Sequence, residues 1–290
     1  GTNQAATHSS AYATSNPPHY LYRTEFDDDA KVAGLLSQYE LASQLAFFVT
    51  DGPPDQPLLD AAQMNLLTTP EQIAGQVTRL LEATSAKKNL EAAMMAYFGM
   101  PMLHSIAIPA RTDFTGGLRN SMFHEVELFL ANTLWAGTVD GILTSRRTYL
   151  NDLLAPLYGV SIPAGAVRDA DGFAAVDVPE NRAGLLTAPG FLTARSRPDG
   201  ESVVGRGLLV NAAVLCAQNP PFPENLATQI EEVSAMLEGQ SERQKAEYRA
   251  THGPCNGCHT GFDPYGLALE YYDILGAYRT NDEHGNAIDT

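Results

Sequence analysis

Apolar residues recur at helical spacing through the first half of the chain. In 37–48, Leu41, Leu45 and Phe48 with Ala42 and Ala46 follow a 3.6-residue period, and Asp51-Gly52-Pro53-Pro54 supplies a stop. Asp55 can cap a short helix ending near Met64, and Thr69-Pro70-Glu71-Gln72 places a capping Thr, a Pro and a Gln in the order that opens a helix to Leu81. Further helical patterns cover 86–98 and, after Gly116-Gly117, 118–135; a short helix is expected over 149–158, and 103–115 reads as irregular. Composition shifts at Gly159. Asp169-Ala170-Asp171-Gly172 before alternating Phe173, Ala175 and Asp177 predicts a short hairpin, and a second turn falls at 280–286. Helices are expected over 203–216, 224–239 and 241–251, with a stiff Asn219-Pro220-Pro221-Phe222-Pro223 piece between the first two. The chain therefore reads as mainly α: an extended arm over 1–18, a multi-helix domain over 19–158, and a smaller, mostly helical domain over 159–290 with short β-hairpins.

Composition narrows the functional classes. The 290 residues are 44% hydrophobic, ordinary for a globular protein, and no apolar run reaches the ~18 residues that a membrane span needs. A formal charge of −16 argues against nucleic acid and anionic membranes; it suits a basic protein partner, or simply solubility. Three cysteines, two of them close together, leave Cys216 alone and exclude a disulfide framework within the chain. Cys216 reads as a buried, inert thiol.

The two close cysteines change the picture most. Cys255-Asn256-Gly257-Cys258-His259 has the spacing C-x-x-C-H, the attachment signature of a c-type haem. Two thiols three residues apart share one helical turn and can each add to a vinyl group of one porphyrin, while the next imidazole lies beneath the iron as an axial ligand. A zinc knuckle needs two more close Cys or His ligands, and His252 is a poor fourth one. A thioredoxin-like pair normally follows a strand of a βαβ unit, which the pattern lacks. Haem c is attached outside the cytoplasmic membrane, so a periplasmic or extracellular location is expected. The polar start Gly1-Thr2-Asn3-Gln4 then reads as a chain whose export signal has been removed.

The residues after the motif, Phe262-Asp263-Pro264-Tyr265-Gly266-Leu267-Ala268-Leu269-Glu270-Tyr271-Tyr272-Asp273 and Gly276-Ala277-Tyr278-Arg279, resemble a family of secreted bacterial c-type cytochromes built from domains of unknown function, best known from planctomycetes and myxobacteria. Upstream, Arg182-Ala183-Gly184-Leu185-Leu186-Thr187, Thr193-Ala194-Arg195-Ser196, Arg206-Gly207, Tyr20-Leu21-Tyr22-Arg23-Thr24-Glu25, the segment from Tyr39 to Phe48, Pro54-Asp55, and Leu118-Arg119-Asn120-Ser121-Met122 with Glu125 are similar to other segments of that family. Val203-Val204 departs from its Ser-Pro before Val. The resemblance covers about 19–290 and implies a mainly helical haem protein without fixing a substrate. It makes 159–290 the haem c-binding domain.

Candidate site residues follow. Cys255 and Cys258 are the thioether anchors of one covalent haem c, and His259 is the proximal iron ligand, its second ring nitrogen expected to donate to a carbonyl or carboxylate. No Met follows Met236, so a distal ligand must come from upstream. Met122 is the first candidate, with His124 or His104 as alternatives and Met100 and Met102 in reach. Arg182, Arg195, Arg197, Arg206 and Arg279 are candidates for the haem propionates, because guanidinium pairs with carboxylate, and His252 for a propionate or backbone contact. Asp263-Pro264 and Gly266 are expected to shape the turn leaving the haem helix, and Glu270 and Asp273 to lie on a solvated face. The expected function is electron transfer to a redox partner. The alternatives are a peroxidase- or oxygenase-type haem enzyme using His124 or Glu125 as acid–base group, and a structural haem-bearing subunit of a larger complex.

Overall fold

Local signals set the first helices. A computed structural model describes residues 36–198, 200, 202–219, 221, 226–253 and 255–290. The arm at 1–18, the 20–25 segment and most of the proline-rich piece lie outside these residues. Ser37 opens α1 (Gln38–Thr50) with a reciprocal capping box to Glu40, and Asp51 closes it in the left-handed region at φ 53°. Asp55 caps α2 (Gln56–Gln63), and Thr69 with Gln72 caps α3 (Pro70–Leu81). Helix α4 (Thr84–Tyr97) follows. The chain divides into two compact units at Leu90–Glu91, inside α4. The first unit has a small core of Ala42, Ala46, Val49, Leu58, Ala61, Ala62, Leu67, Leu80 and Ala86. The Gln38 amide brackets the backbone of Leu67, accepting from its N–H at 2.9 Å and donating to its carbonyl at 3.3 Å.

The second unit is built on the long α6 (Gly116–Ala136), which follows a short α5 (Met102–Ser105) and is capped by Thr115. Leu118, Met122, Val126, Phe129 and Leu130 bury one side of α6 in a core that runs from Met95 to Leu275, and so takes in residues on both sides of 159. A short α7 (Gly141–Thr144) leads to β1 (Arg147–Leu150), then α8 (Ala155–Tyr158) and β2 (Ala174–Asp177). The two strands pair antiparallel, Arg147 opposite Asp177 and Leu150 opposite Ala174. The tight turn at 169–173 forms as expected, with Asp169 accepting from Asp171 and Phe173, but its strand pairs mainly with β1. Part of the helix expected over 149–158 is therefore strand.

Helix α9 (Pro189–Thr193) packs on α6. Helix α10 (Val203–Leu209) runs into a π-turn at Val210–Val214, and Cys216 ends it exposed, in the left-handed region at φ 53°. The buried thiol expected at 216 is thus a surface one, because the chain turns outward after the π-turn. Helices α11 (Leu226–Met236), α12 (Glu242–Thr251) and α13 (Asn256–Leu267) complete the described elements. The fold is mainly helical with one small two-stranded sheet. Among the described residues no helix is long and apolar enough to cross a membrane.

Candidate functional site

The C-x-x-C-H residues form the first turn of α13. Cys255 is its N-cap in helical conformation, and its carbonyl accepts from the N–H groups of Cys258 at 3.2 Å and His259 at 3.1 Å. Residues i, i+3 and i+4 share a helical face, so the turn presents both thiols and the imidazole together. Both cysteines are half-buried free thiols. Asn256, Gly257, Thr260 and Gly261 around them are exposed, and a Cβ at Gly257 or Gly261 would meet nothing within 4 Å.

One nitrogen of His259 is already engaged. Its Nδ1 lies 3.0 Å from Asp263 Oδ1, one helical turn on, and the Asp263 side chain is only 3% exposed. Asp263 Oδ2 in turn accepts from Arg249 Nε of α12 at 2.7 Å. Arg249 Nη2 is buried with no acceptor among the described residues. Histidine ligands commonly give one ring N–H to a carboxylate, which orients the ring and leaves the other nitrogen for the metal. The donor set, its helical face and the open space beside it fit a haem attached through two thioethers with Nε2 of His259 facing the iron.

Helix α13 is held by α10, the π-turn and α12. Two glycines bring α10 and α13 into backbone contact. A Cβ on Gly207 would lie 3.0 Å from the Phe262 carbonyl carbon, and one on Gly266 would lie 2.7 Å from that of Val203. Gly266 and Pro264 are therefore inside the helix, and Gly266 serves helix packing rather than an exit turn. Arg206 of α10 is fully buried and donates through Nη1 to the carbonyls of Leu269 (2.9 Å) and Tyr272 (2.7 Å), and through Nη2 to that of Asp273 (2.8 Å). Carbonyls beyond a helix end need such donors. This arginine pins the chain after α13: both of its Nη atoms are on these carbonyls, where the sequence suggested a haem propionate.

Other expected residues are dispersed. Arg182 is buried, donates to the carbonyls of Thr187 (2.6 Å) and Leu157 (2.9 Å), and lies over the rings of Tyr158 and Tyr272. Arg279 Nε donates to the Glu270 carbonyl at 3.2 Å, which ties it to the chain beyond α13 rather than to the motif. Arg195 lies over Gly99 and points at the Met102 sulfur, and Arg197 is exposed. His252 caps α12, with Nδ1 3.0 Å from its own helix's Tyr248 carbonyl and its ring stacked on that of Tyr248 at 3.8 Å, so this nitrogen serves the helix end. Glu270 is buried rather than solvated, and Asp273 caps a turn through the N–H groups of Leu275 and Ala277 while pairing with Arg111 at 3.0 Å.

The distal candidates sit on elements other than those packed on α13. Met122 is fully buried in the main core beside Gly190, as is Met100, so both fill the core as methionines commonly do. His124 holds Glu127 at 3.0 Å and packs edge-on against Phe173. His104 of α5 is exposed and lies against the Phe123 ring. Glu125 is fully buried and accepts from the hydroxyls of Thr148 (2.8 Å) and Tyr158. Burial pushes its carboxyl up to about 7 against the opposing pull of those hydroxyls and of the Arg182 guanidinium. That makes Glu125 a core group rather than an acid–base group open to substrate.

Arg249 has no local signature in the sequence, and Asp263, expected in a turn, lies inside α13. The spacing His259-x-x-x-Asp263 on one helix was the available signal. Among the described residues no group of three or more His, Cys, Asp or Glu is placed to hold a bare metal ion.

Comparison with known proteins adds two family matches. Residues 36–160 match the model for PSD4, a protein of unknown function (DUF1592), and residues 182–282 match the model for PSCyt3, a protein of unknown function (DUF1588). No curated protein and no solved structure gives a match. The two matches follow one another along the chain, and Arg249, Cys255, Cys258, His259 and Asp263 all fall within the second.

Proposed function

We propose that this protein is a secreted monohaem c-type cytochrome that carries electrons. The observation that carries the reading is the first turn of α13: Cys255, Cys258 and His259 share one face, and His259 Nδ1 is committed to buried Asp263. Each thiol adds across one vinyl group, its sulfur bonding one vinyl carbon and its hydrogen going to the other, so attachment needs no oxidant. Bound haem supplies a one-electron ferric–ferrous couple. The protein's residues do the rest. Two thioethers prevent loss of the group, His259 orients through Asp263, and Arg206 with the Gly207 and Gly266 contacts fixes the helix that bears them.

The bare-zinc and dithiol readings fit less well. His252 turns Nδ1 to a carbonyl, and the described strands form an antiparallel pair with no βαβ unit. The two domain families are those associated with cytochrome c in planctomycete-type proteins, which supports the same reading. Thioether attachment places the chain in the periplasm or outside the cell. The exposed residues around the motif and the formal charge of −16 suit docking by a basic redox partner.

The test is the reduced absorption spectrum of protein made in a host that attaches haem c, denatured in alkaline pyridine. A haemochrome band with both vinyl groups saturated is expected, shifted to that of a single vinyl in Cys255→Ser or Cys258→Ser. A spectrum without haem, or one unchanged by both substitutions, contradicts the reading. In the native protein, a low-spin ferric haem that ignores cyanide marks a carrier, and a high-spin haem that binds it marks an enzyme.

A further inference from the structure

We propose that Asp263 and Arg249 form a positioning pair that sets the donor strength of His259 and thereby the reduction potential of the attached haem. This rests on the haem reading above. An imidazole that ligates through Nε2 holds its proton on Nδ1, and the group accepting that proton's hydrogen bond decides how electron-rich the ring is. A carboxylate draws on the proton more strongly than a neutral carbonyl. Here the acceptor is Asp263 Oδ1 at 3.0 Å, on a side chain almost sealed from water, where the local dielectric strengthens the interaction.

The second oxygen has its own partner. Arg249 reaches from α12 to Asp263 Oδ2 at 2.7 Å, with its side chain 12% exposed. The guanidinium withdraws part of the carboxylate's negative charge, so the pair works as a graded device: Asp263 strengthens the imidazole as a donor, and Arg249 limits how far. The two residues come from different helices, which makes the setting a property of the α12–α13 packing. A stronger donor favours the more highly charged ferric iron, so the two residues act on the potential with opposite signs. A role confined to holding the helices together would not produce that opposition.

The test is a spectroelectrochemical titration of the full-length haem-bearing protein, in which the electrode supplies the single electron that converts ferric to ferrous. Asp263→Asn keeps the side chain's size and removes its charge. Its ferric preference should fall at least tenfold, a rise of about 59 mV for this one-electron couple. Arg249→Met should shift the potential downward, and Arg249→Lys should return it toward the wild-type value. Potentials that move the same way in both variants, or an Asp263→Asn potential within a few millivolts of wild type, overturn the proposal. Should Asp263→Asn fail to fold, the sign of the Arg249→Met shift and its reversal by lysine decide the matter. Mass measurement of each sample separates the two ideas. A wild-type chain without covalent haem defeats the haem reading, and the pair's role with it; loaded chains with unmoved potentials defeat the pair alone.

Discussion

Gly266 meets the backbone of Val203 without room for a methyl group between them: a Cβ there would stand 2.7 Å from the Val203 carbonyl carbon. The helix bearing the C-x-x-C-H turn is thereby seated on α10 through main chain as well as through side chains such as Val203 and Leu267. Gly207 makes the reciprocal contact with Phe262. Because backbone cannot swing aside, Gly266→Ala and Gly207→Ala should each cost about 3 kcal/mol, the upper part of the overpacking range. Chemical denaturation of the full chain checks this, and a loss under ~0.5 kcal/mol would show that the helices separate freely.

Arg206 should be the most sensitive arginine. Arg206→Met retains much of the volume but strips the buried carbonyls of Leu269 and Tyr272 and the half-buried one of Asp273 of their donors. The expected loss is about 3–5 kcal/mol in the same measurement, since buried groups left without partners carry their full desolvation cost. If Arg206 instead served a propionate, the loss would be confined to haem-loaded protein.

Glu125 gives the core a pH dependence of known sign. Its carboxyl titrates near 4.5 in the unfolded chain and about 7 when folded. The folded state therefore holds a proton that the unfolded chain has released. The resulting stability is complete below pH 4.5, declines across the window to 7, and is gone above it, a change of roughly 3 kcal/mol. Glu125→Gln cannot titrate, so the stability difference between wild type and variant should fall through that window and level off beyond it. A difference flat from pH 4.5 to 7 would contradict the burial-driven shift.

Met122 fills the core, so Met122→Leu should leave the haem spectrum unchanged in both oxidation states and cost under ~1.5 kcal/mol. Loss of a low-spin spectrum in this variant would restore Met122 as a ligand.

What could be read from the sequence was local. Asp55 and Thr69 announce their helices because a cap and its partner lie within four residues. Cys255, Cys258 and His259 stand out because their chemistry depends on spacing alone. Tyr149 and Leu150, expected to begin a helix, end the strand Arg147–Leu150 instead, because a short apolar run has no decisive period and the partner Ala174–Asp177 lies far along the chain. The arginines are hard to read for a related reason: nothing local distinguishes a guanidinium that binds buried carbonyls from one that awaits a ligand. Arg206 and Arg182 are defined by residues tens of positions away. Asp263 was half visible, since its turn of helix from His259 could be counted, whereas Arg249 Nε at 2.7 Å depends on how α12 meets α13.

The central claim is that one porphyrin is covalently joined to Cys255 and Cys258. The most direct measurement is the intact mass of the denatured chain, purified from a host that attaches haem c and stripped of anything loosely held. Because addition to the vinyl groups loses no atoms, the account predicts the polypeptide mass plus one whole haem, falling to the polypeptide alone when both cysteines are replaced by serine. A wild-type chain that weighs only its amino acids would contradict it.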